Sequence, residues 1–377
     1  MLTVLKNANV YINDSFVKKD IAISQKIERI GNNLSGDKEI DLEGRYITPG
    51  FIDIHVHGRG GIDAASDCEA LSIELAKNGV TSFLPTTLTL SVEDTLKAMS
   101  YLADYIDSQS AKGAEVLGIY SEGIFFSKEK CGAQNPDYIK ESIDISLVEK
   151  IIESGKGHLK VMAYAPENDG SVELSAYLKE KGIRASMGHT NALEKEIKPC
   201  VDAGLSGVTH LYNGMRWMNH LELGASGVGV FDERLYVELI VDGYHVNKEF
   251  INIAFEFKPI DKIIFISDNV HLSGLPEGKG SMGGVPVIIK ADKLIVDQSE
   301  GYSLAGSCLR LCDSVKNANK MTGISFEKLI KCVTINPAEY IGVSDRKGSI
   351  EEGKDADINI FDKEFNLIKT YIKGEEI

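Results

Sequence analysis

The run FIDIHVHG at residues 51–58 carries His55 and His57 two positions apart. Successive side chains on a strand point to opposite faces, so the two imidazoles share one face while Ile54 and Val56 take the other. In isolation such a pair is usually a strand end whose rings are hydrogen-bonded or solvated. Other apolar runs in this chain end the same way, however: Glu122 closes EVLGIYSE, His189 closes IRASMGH, His210 sits in GVTHL and Asp268 in IIFISDN. Four imidazoles and two carboxylates gathered at one point suit zinc, or Fe, Mn or Co in its place. An ion held there acidifies water and polarises a carbonyl, which allows hydrolysis without a protein nucleophile. Nothing in the chain favours the nucleophile route, since no Gly-x-Ser-x-Gly elbow is present. The glycines of GKGSMGG at 278–284 do not lead from a strand into a helix and match no phosphate loop, so they read as a hairpin connection near the site.

Convergence of these residues demands elements that end together. Between Pro49 and about Asn269, short apolar runs alternate with longer stretches of helical spacing, the pattern of βα units around a parallel sheet. Eight runs qualify as strands: FIDIHVH, VTSFLPT, EVLGIYSE, LKVMAYA, IRASMGH, GVTHL, YVELIVDG and IIFISDN. Segments such as CEALSIELAKNG, VEDTLKAMSYLADYI and DISLVEKIIESG fall between them, with apolar residues three and four apart. The fold class read from this is α/β, a (β/α)8 TIM-type barrel, in which residues at the C-terminal strand ends share one mouth. A barrel of ~250 residues leaves room in this chain for a smaller domain. The β-rich text at both ends supplies it: residues 1–49 and 345–377 are expected to form a discontinuous β-sandwich beside a catalytic barrel at 50–344. GVPVIIKADKLIVD after the eighth run reads as an inserted hairpin.

Composition narrows the partners. Against 41 Lys and Arg stand 56 Asp and Glu, for a net charge of −15, which opposes general attraction to nucleic acid or anionic membrane. No apolar stretch is long enough to span a bilayer, and no export signal is visible at the N-terminus. The six cysteines are scattered without a Cys-x-x-Cys, as reduced thiols in a cytoplasm would be. An anionic substrate would need a local cationic pocket.

The motifs PGFIDIHVHG, SEG at 121–123, GHT at 188–190, THLYNGM at 209–215, DGYHV at 242–246, SDN at 267–269, LAGS at 304–307 and the closing GSIEEGKDADINIFD span nearly the whole chain. Together they resemble the N-acetylglucosamine-6-phosphate deacetylase family of the amidohydrolase superfamily. The resemblance implies hydrolysis of the N-acetyl amide of an amino sugar, with a related amidohydrolase acting on another N-acyl amino sugar or a cyclic amide as the alternative. A protein that binds sugar without turnover would not need Asp268 beside a metal. The resemblance implies that Glu122, His189 and His210 bind metal, that Asp268 is the general base and acid, and that His245, Asn213 and Gly214 contact substrate. Because His55 and His57 are both present, the chain is similar to members that hold two ions per subunit rather than one. It implies a homodimer as well. Three places depart from the family pattern. YSEGIF replaces His-Leu-Glu-Gly-Pro-Phe around Glu122; CGAQ puts Gln134 where a substrate-contacting histidine stands; and HLEL puts Leu221 where an arginine reaches the phosphate from the neighbouring subunit. Arg216, five residues before Leu221, is the candidate replacement for that arginine.

Overall fold

The computed structural model describes residues 1–109, 112–297 and 303–377. At its centre the strands Phe51–Val56, Val80–Thr87, Ile119–Glu122, Leu159–Tyr164, Arg184–Met187, Leu205–Val208, Tyr236–Leu239 and Ile263–Phe265 pair in sequence order, each parallel to the next. Each overlaps the run expected from sequence, although the sixth begins two residues before GVTHL and ends at Val208. Between the eighth and the first, the circle is completed by bonds from Asp268 N to His55 O at 2.9 Å and from His57 N to Asn269 O at 2.7 Å. The Asp53 carboxylate joins them by accepting Ser267 N at 3.2 Å. The protein is therefore an α/β barrel of the TIM type, and its closing bonds lie at the same end as the ionisable residues.

Helices form where spacing and caps agree. Val92–Ser108 begins at Ser91, whose side chain accepts Asp94 N, and buries Thr95, Ala98, Met99, Leu102 and Ala103, a stripe at three- and four-residue intervals. Ile145–Ser154 is capped by Asp144 in the same manner and buries Leu147, Val148 and Ile151. The stripes pack on Phe83, Met162, Tyr164 and Phe265 of the strands in one continuous core.

One expected strand is broken. The run at 115–122 pairs first as Glu115–Val116 and again as Ile119–Glu122, with Gly118 between them at φ +153°. A Cβ there would lie 2.3 Å from Lys160 Cγ and 2.8 Å from His158 O, so only glycine lets the chain cross at this point. The inserted hairpin is larger than expected. Gly278–Met282, Val285–Lys290, Lys293–Val296 and Leu304–Ser307 form a four-stranded antiparallel sheet. Gly283 and Gly284, at φ +53° and +86°, form the two-residue turn, with the positive φ values of a type I′ hairpin.

Both termini contribute to a separate sheet of eight strands: Thr3–Ile12, Ser15–Ile23, Ile27–Gly31, Lys38–Asp41, Tyr46–Pro49, Ile358–Phe361, Leu367–Ile372 and Glu375–Glu376. Ile358–Phe361 runs antiparallel to Tyr46–Pro49, the strand that leads directly into the first barrel strand. Leu5, Val10, Ile21, Ile47, Ile358 and Ile360 make up its own core, while Phe361 stacks on Phe51 of the barrel. Among the described residues, no helix is long and apolar enough to cross a membrane.

An ion cluster ties the returning C-terminus to the barrel. Lys347, only 3% exposed, places Nζ 2.7 Å from Glu115, 3.0 Å from Asp355 and 2.5 Å from Asp357, and Arg346 bridges Glu115 and Asp355 at 2.8 Å each. Burial alone would raise Glu115, but Arg346 and Lys347 overcome it and hold its carboxyl at about 2; Asp355 is likewise held low, whereas burial pushes Asp357 up. Removing one partner leaves the others buried and uncompensated, so Lys347→Met is expected to lower the unfolding free energy by about 3 kcal/mol in a denaturant titration at pH 7. A loss under ~1 kcal/mol would show the cluster to be energetically idle. Because the folded pKa of Glu115 lies below its usual 4.5, its contribution is complete above that value and disappears as pH falls towards 2. Across that window the stability of the variant is expected to fall less steeply with acid than that of the wild type.

Candidate metal centre

His55 lies on the first barrel strand and His57 immediately beyond it, while Glu122 is the last residue of the third. His189, His210 and Asp268 follow the fifth, sixth and eighth strands, and each has a positive φ, of +43°, +32° and +49°. Non-glycine residues in this region are strained and survive only where neighbours hold them. Here the holding bonds are Ser127 N to His189 O, Leu211 N to Glu238 O and Ser307 N to Asp268 O, all at 2.8 Å. The turn after each strand thereby brings its side chain to the mouth, and the six residues are 0–8% exposed.

All four imidazoles direct Nε2 at the two carboxylates. From Glu122 Oε1, His210 Nε2 is 2.9 Å away, His189 Nε2 3.2 Å and His55 Nε2 3.7 Å; from Oε2, His57 Nε2 is 3.3 Å away. Asp268 Oδ1 stands 3.3 Å from His57 Nε2 and 3.6 Å from His55 Nε2. The Nδ1 atoms of His57 and His189 meet the carbonyls of Thr86 and Lys130, at 3.0 and 2.9 Å, and His55 Nδ1 meets Glu238 Oε2 at 2.8 Å. Carbonyl and carboxylate oxygens only accept, so Nδ1 carries the hydrogen in these three rings and Nε2 is free to act as a ligand.

This donor set fits a cation. His189 Nε2 and His210 Nε2 are 3.2 Å apart and face each other as well as Glu122, an arrangement of lone pairs that needs positive charge among them. Two overlapping groups meet the requirement, His55 with His57 and Glu122, and Glu122 with His189 and His210, each with ligand atoms within 4.8 Å of one another. Electrostatics agree. Burial alone would lower His57, yet Asp268 and Glu122 raise it to about 9; against the same burial His55 is raised by Glu238 and Glu122, and His210 by Glu122 and Asp268. Burial would raise Glu122 and Asp268, but the imidazoles hold both below the usual carboxylate range. Where protons supply this charge, a metal displaces them.

A cleft of about 450 Å³ opens over the centre, a size suited to a small ligand. His245 lines it, with Nδ1 2.6 Å from Asp242. Asn213 and Gly214 line it too; a Cβ at Gly214 would lie 2.8 Å from His189 Nδ1, which explains the glycine at φ +58°. Gln134 is present, but its amide is already engaged, donating to Glu122 Oε2 at 2.7 Å and accepting Thr89 N at 2.8 Å. In this arrangement one of its two amide N–H groups holds a metal-ligand candidate. Arg216 pairs with Glu222 at 2.8 Å and is not among the cleft-lining residues, whereas Trp217 is at the rim, 75% exposed. Lys130 does line the cleft, and no ion pair engages its ammonium among the described residues. Lys130 and Glu238 were not singled out from sequence. Glu238 had a signal, a lone carboxylate within the apolar run YVELIV, while Lys130 looks like any other lysine of a charged loop.

Residues 46–377 match the amidohydrolase family. The chain is 34% identical to the N-acetylglucosamine-6-phosphate deacetylase of Bacillus subtilis over 377 residues, 98% of this chain and 93% of that protein. It is 31% identical to the N-acetylgalactosamine-6-phosphate deacetylase of Escherichia coli O157:H7, over 89% of this chain and 88% of that one. Among solved structures, the N-acetylglucosamine-6-phosphate deacetylase of Pasteurella multocida superimposes with a TM-score of 0.92 at 28% identity, covering 100% of both chains. That of Thermotoga maritima gives 0.89 at 29% identity, covering 99% of both.

Proposed function

Because the chain belongs to the amidohydrolase family, we propose that it hydrolyses the N-acetyl amide of an amino-sugar phosphate, N-acetylglucosamine 6-phosphate first, to acetate and glucosamine 6-phosphate. The observation that carries this reading is the convergence of four Nε2 atoms on Glu122 beside a second carboxylate, Asp268. Glu122, His189 and His210 would hold one divalent ion, and His55, His57 and Glu122 could hold a second; zinc would fit the nitrogen-rich set best. When bound, such a cation supplies Lewis acidity, acidifying water and polarising the amide carbonyl. Asp268 accepts the proton of the attacking water as the C–O bond forms, then delivers it to the nitrogen as the C–N bond breaks. Gln134 keeps Glu122 oriented for its ligand role. His245, Asn213 and Gly214 seat the sugar and its phosphate, and Lys130 supplies the cation that Leu221 cannot. The protein works in the cytoplasm, where its six unpaired cysteines stay reduced, and as a homodimer whose exposed Trp217 and Leu221 suit a subunit interface.

Acetate release from the metal-loaded enzyme tests this across N-acetylglucosamine 6-phosphate, N-acetylgalactosamine 6-phosphate and the two unphosphorylated sugars. The 6-phosphate of the gluco sugar is expected to lead, with kcat/KM ~10-fold or more above its unphosphorylated form. Lys130→Ala should remove about that factor from the phosphorylated substrates alone, whereas Arg216→Ala, already paired with Glu222, should change both classes equally and little. No acetate from any of the four would sink the proposal, and a preference for the galacto sugar would move it to the other relative's substrate.

A further inference from the structure

Glu238, on the inner face of the seventh barrel strand, is 2% exposed, yet no lysine or arginine pairs with it among the described residues. Its Oε1 has no hydrogen-bond partner. Its Oε2 receives two donors, His55 Nδ1 at 2.8 Å and the backbone N of His210 at 3.2 Å. A buried carboxylate is retained only where something offsets its desolvation, and the groups facing this one are the His55 imidazole and a backbone N–H. The two donors belong to different ligand groups: His55 to the one with His57, His210 to the one with His189. Of the three imidazoles whose Nδ1 is bonded, only His55 meets a charged acceptor, while His57 and His189 meet carbonyls. His55 Nε2, on the far side of the same ring, has no hydrogen-bond partner and points into the centre.

We propose that Glu238 is the positioning residue for the cation seat of His55, His57 and Glu122, fixing the His55 ring with Nε2 towards the ion and tying that seat to the backbone of His210. A carboxylate behind a ligating imidazole locks the tautomer, orients the ring and makes the facing nitrogen a stronger ligand. The cation in turn, one imidazole away, supplies the positive charge that Glu238 lacks. The inference rests on the metal-dependent reading of the site and adds to it a residue that touches neither substrate nor ion.

The test is the metal affinity of the full-length protein. Metal-free enzyme is titrated with Zn2+ against a competing chelator, and with Co2+, whose visible absorption reports ligation directly. Wild type is expected to take up two ions. Glu238→Gln keeps an oxygen for both donors and removes only the charge; it should bind the second ion ~10-fold or more weakly and the first within about 3-fold. The double variant His55→Ala, His57→Ala should lose the same ion. Thermal melting of the metal-free proteins separates a packing defect from a ligand defect. Should Glu238→Gln fold poorly, Glu238→Asp, which keeps the charge but withdraws it from His55, should show the same selective loss. A Glu238→Gln protein that binds both ions as wild type does overturns the inference alone. So does a wild type that takes up one ion with an affinity the substitution leaves unchanged. A wild type that takes up none overturns the metal-dependent reading and this inference with it.

Discussion

Asp268→Asn is expected to reduce kcat by about 10²-fold or more while leaving KM and the metal content close to wild type. The substitution removes little except the proton acceptor. Asp268 has φ +49°, a conformation that asparagine tolerates as readily as aspartate, so the turn after the eighth strand is retained. Its backbone is held at both ends, by His55 O and by Ser307 N. The Oδ1 that stands 3.3 Å from His57 Nε2 and 3.6 Å from His55 Nε2 keeps its place as an amide oxygen. What is lost is a base 8% exposed at the mouth of the cleft, held ionised by the imidazoles around it. An amide can neither take the proton from water nor return it to the amine. Measuring kcat and metal on the same sample decides the matter. Near-normal turnover with full metal would remove Asp268 from proton transfer, and a parallel loss of ion would make it a ligand instead.

The barrel was legible because each strand is a short apolar run bounded by turn residues, and because the candidate site residues fall where those runs end. Glu122, His189, His210 and Asp268 stand out as ionisable groups among Ile, Val, Met and Phe, and the fold brings them together with His55 and His57. What sequence could not convey is which partner a polar side chain finds. Gln134 occupies a position where a donor to substrate is expected, yet one of its two amide N–H groups goes to Glu122 Oε2 at 2.7 Å. Arg216 is near the absent arginine in the chain, but its guanidinium pairs with Glu222, six residues on, and Arg216 does not line the cleft. The break at Gly118 was equally hidden, since it depends on the close approach of His158 and Lys160 from the next strand. The size of the insert had a readable cause. Gly-Gly between Met282 and Val285 is a hairpin turn, so the glycine-rich segment before it becomes a strand paired with the one after.

Glu122→Gln is expected to empty both cation seats, and this sets it apart from every other substitution at the centre. Glu122 is the one residue common to the two ligand groups. Oε1 faces His189, His210 and His55, and Oε2 faces His57 and the Gln134 amide. A glutamine retains a single oxygen. With that oxygen towards His189 and His210, its amide nitrogen faces His57 and opposes the Gln134 NH2, donor against donor. Turned over, it satisfies Gln134 but presents to His189 and His210 an amide nitrogen, which has no lone pair with which to ligate a cation. Neither orientation supplies two anionic oxygens to two ions. The effect should therefore exceed the 10–100-fold typical of groups one bond removed from a metal. Metal content is expected to fall below one ion per chain after dialysis, and kcat by more than ~10²-fold. Excess Zn2+ should restore little, whereas His55→Ala with His57→Ala should retain the ion of Glu122, His189 and His210. If the glutamine variant keeps two ions, Glu122 does not bridge them, and the four imidazoles with Asp268 must suffice to hold the metal.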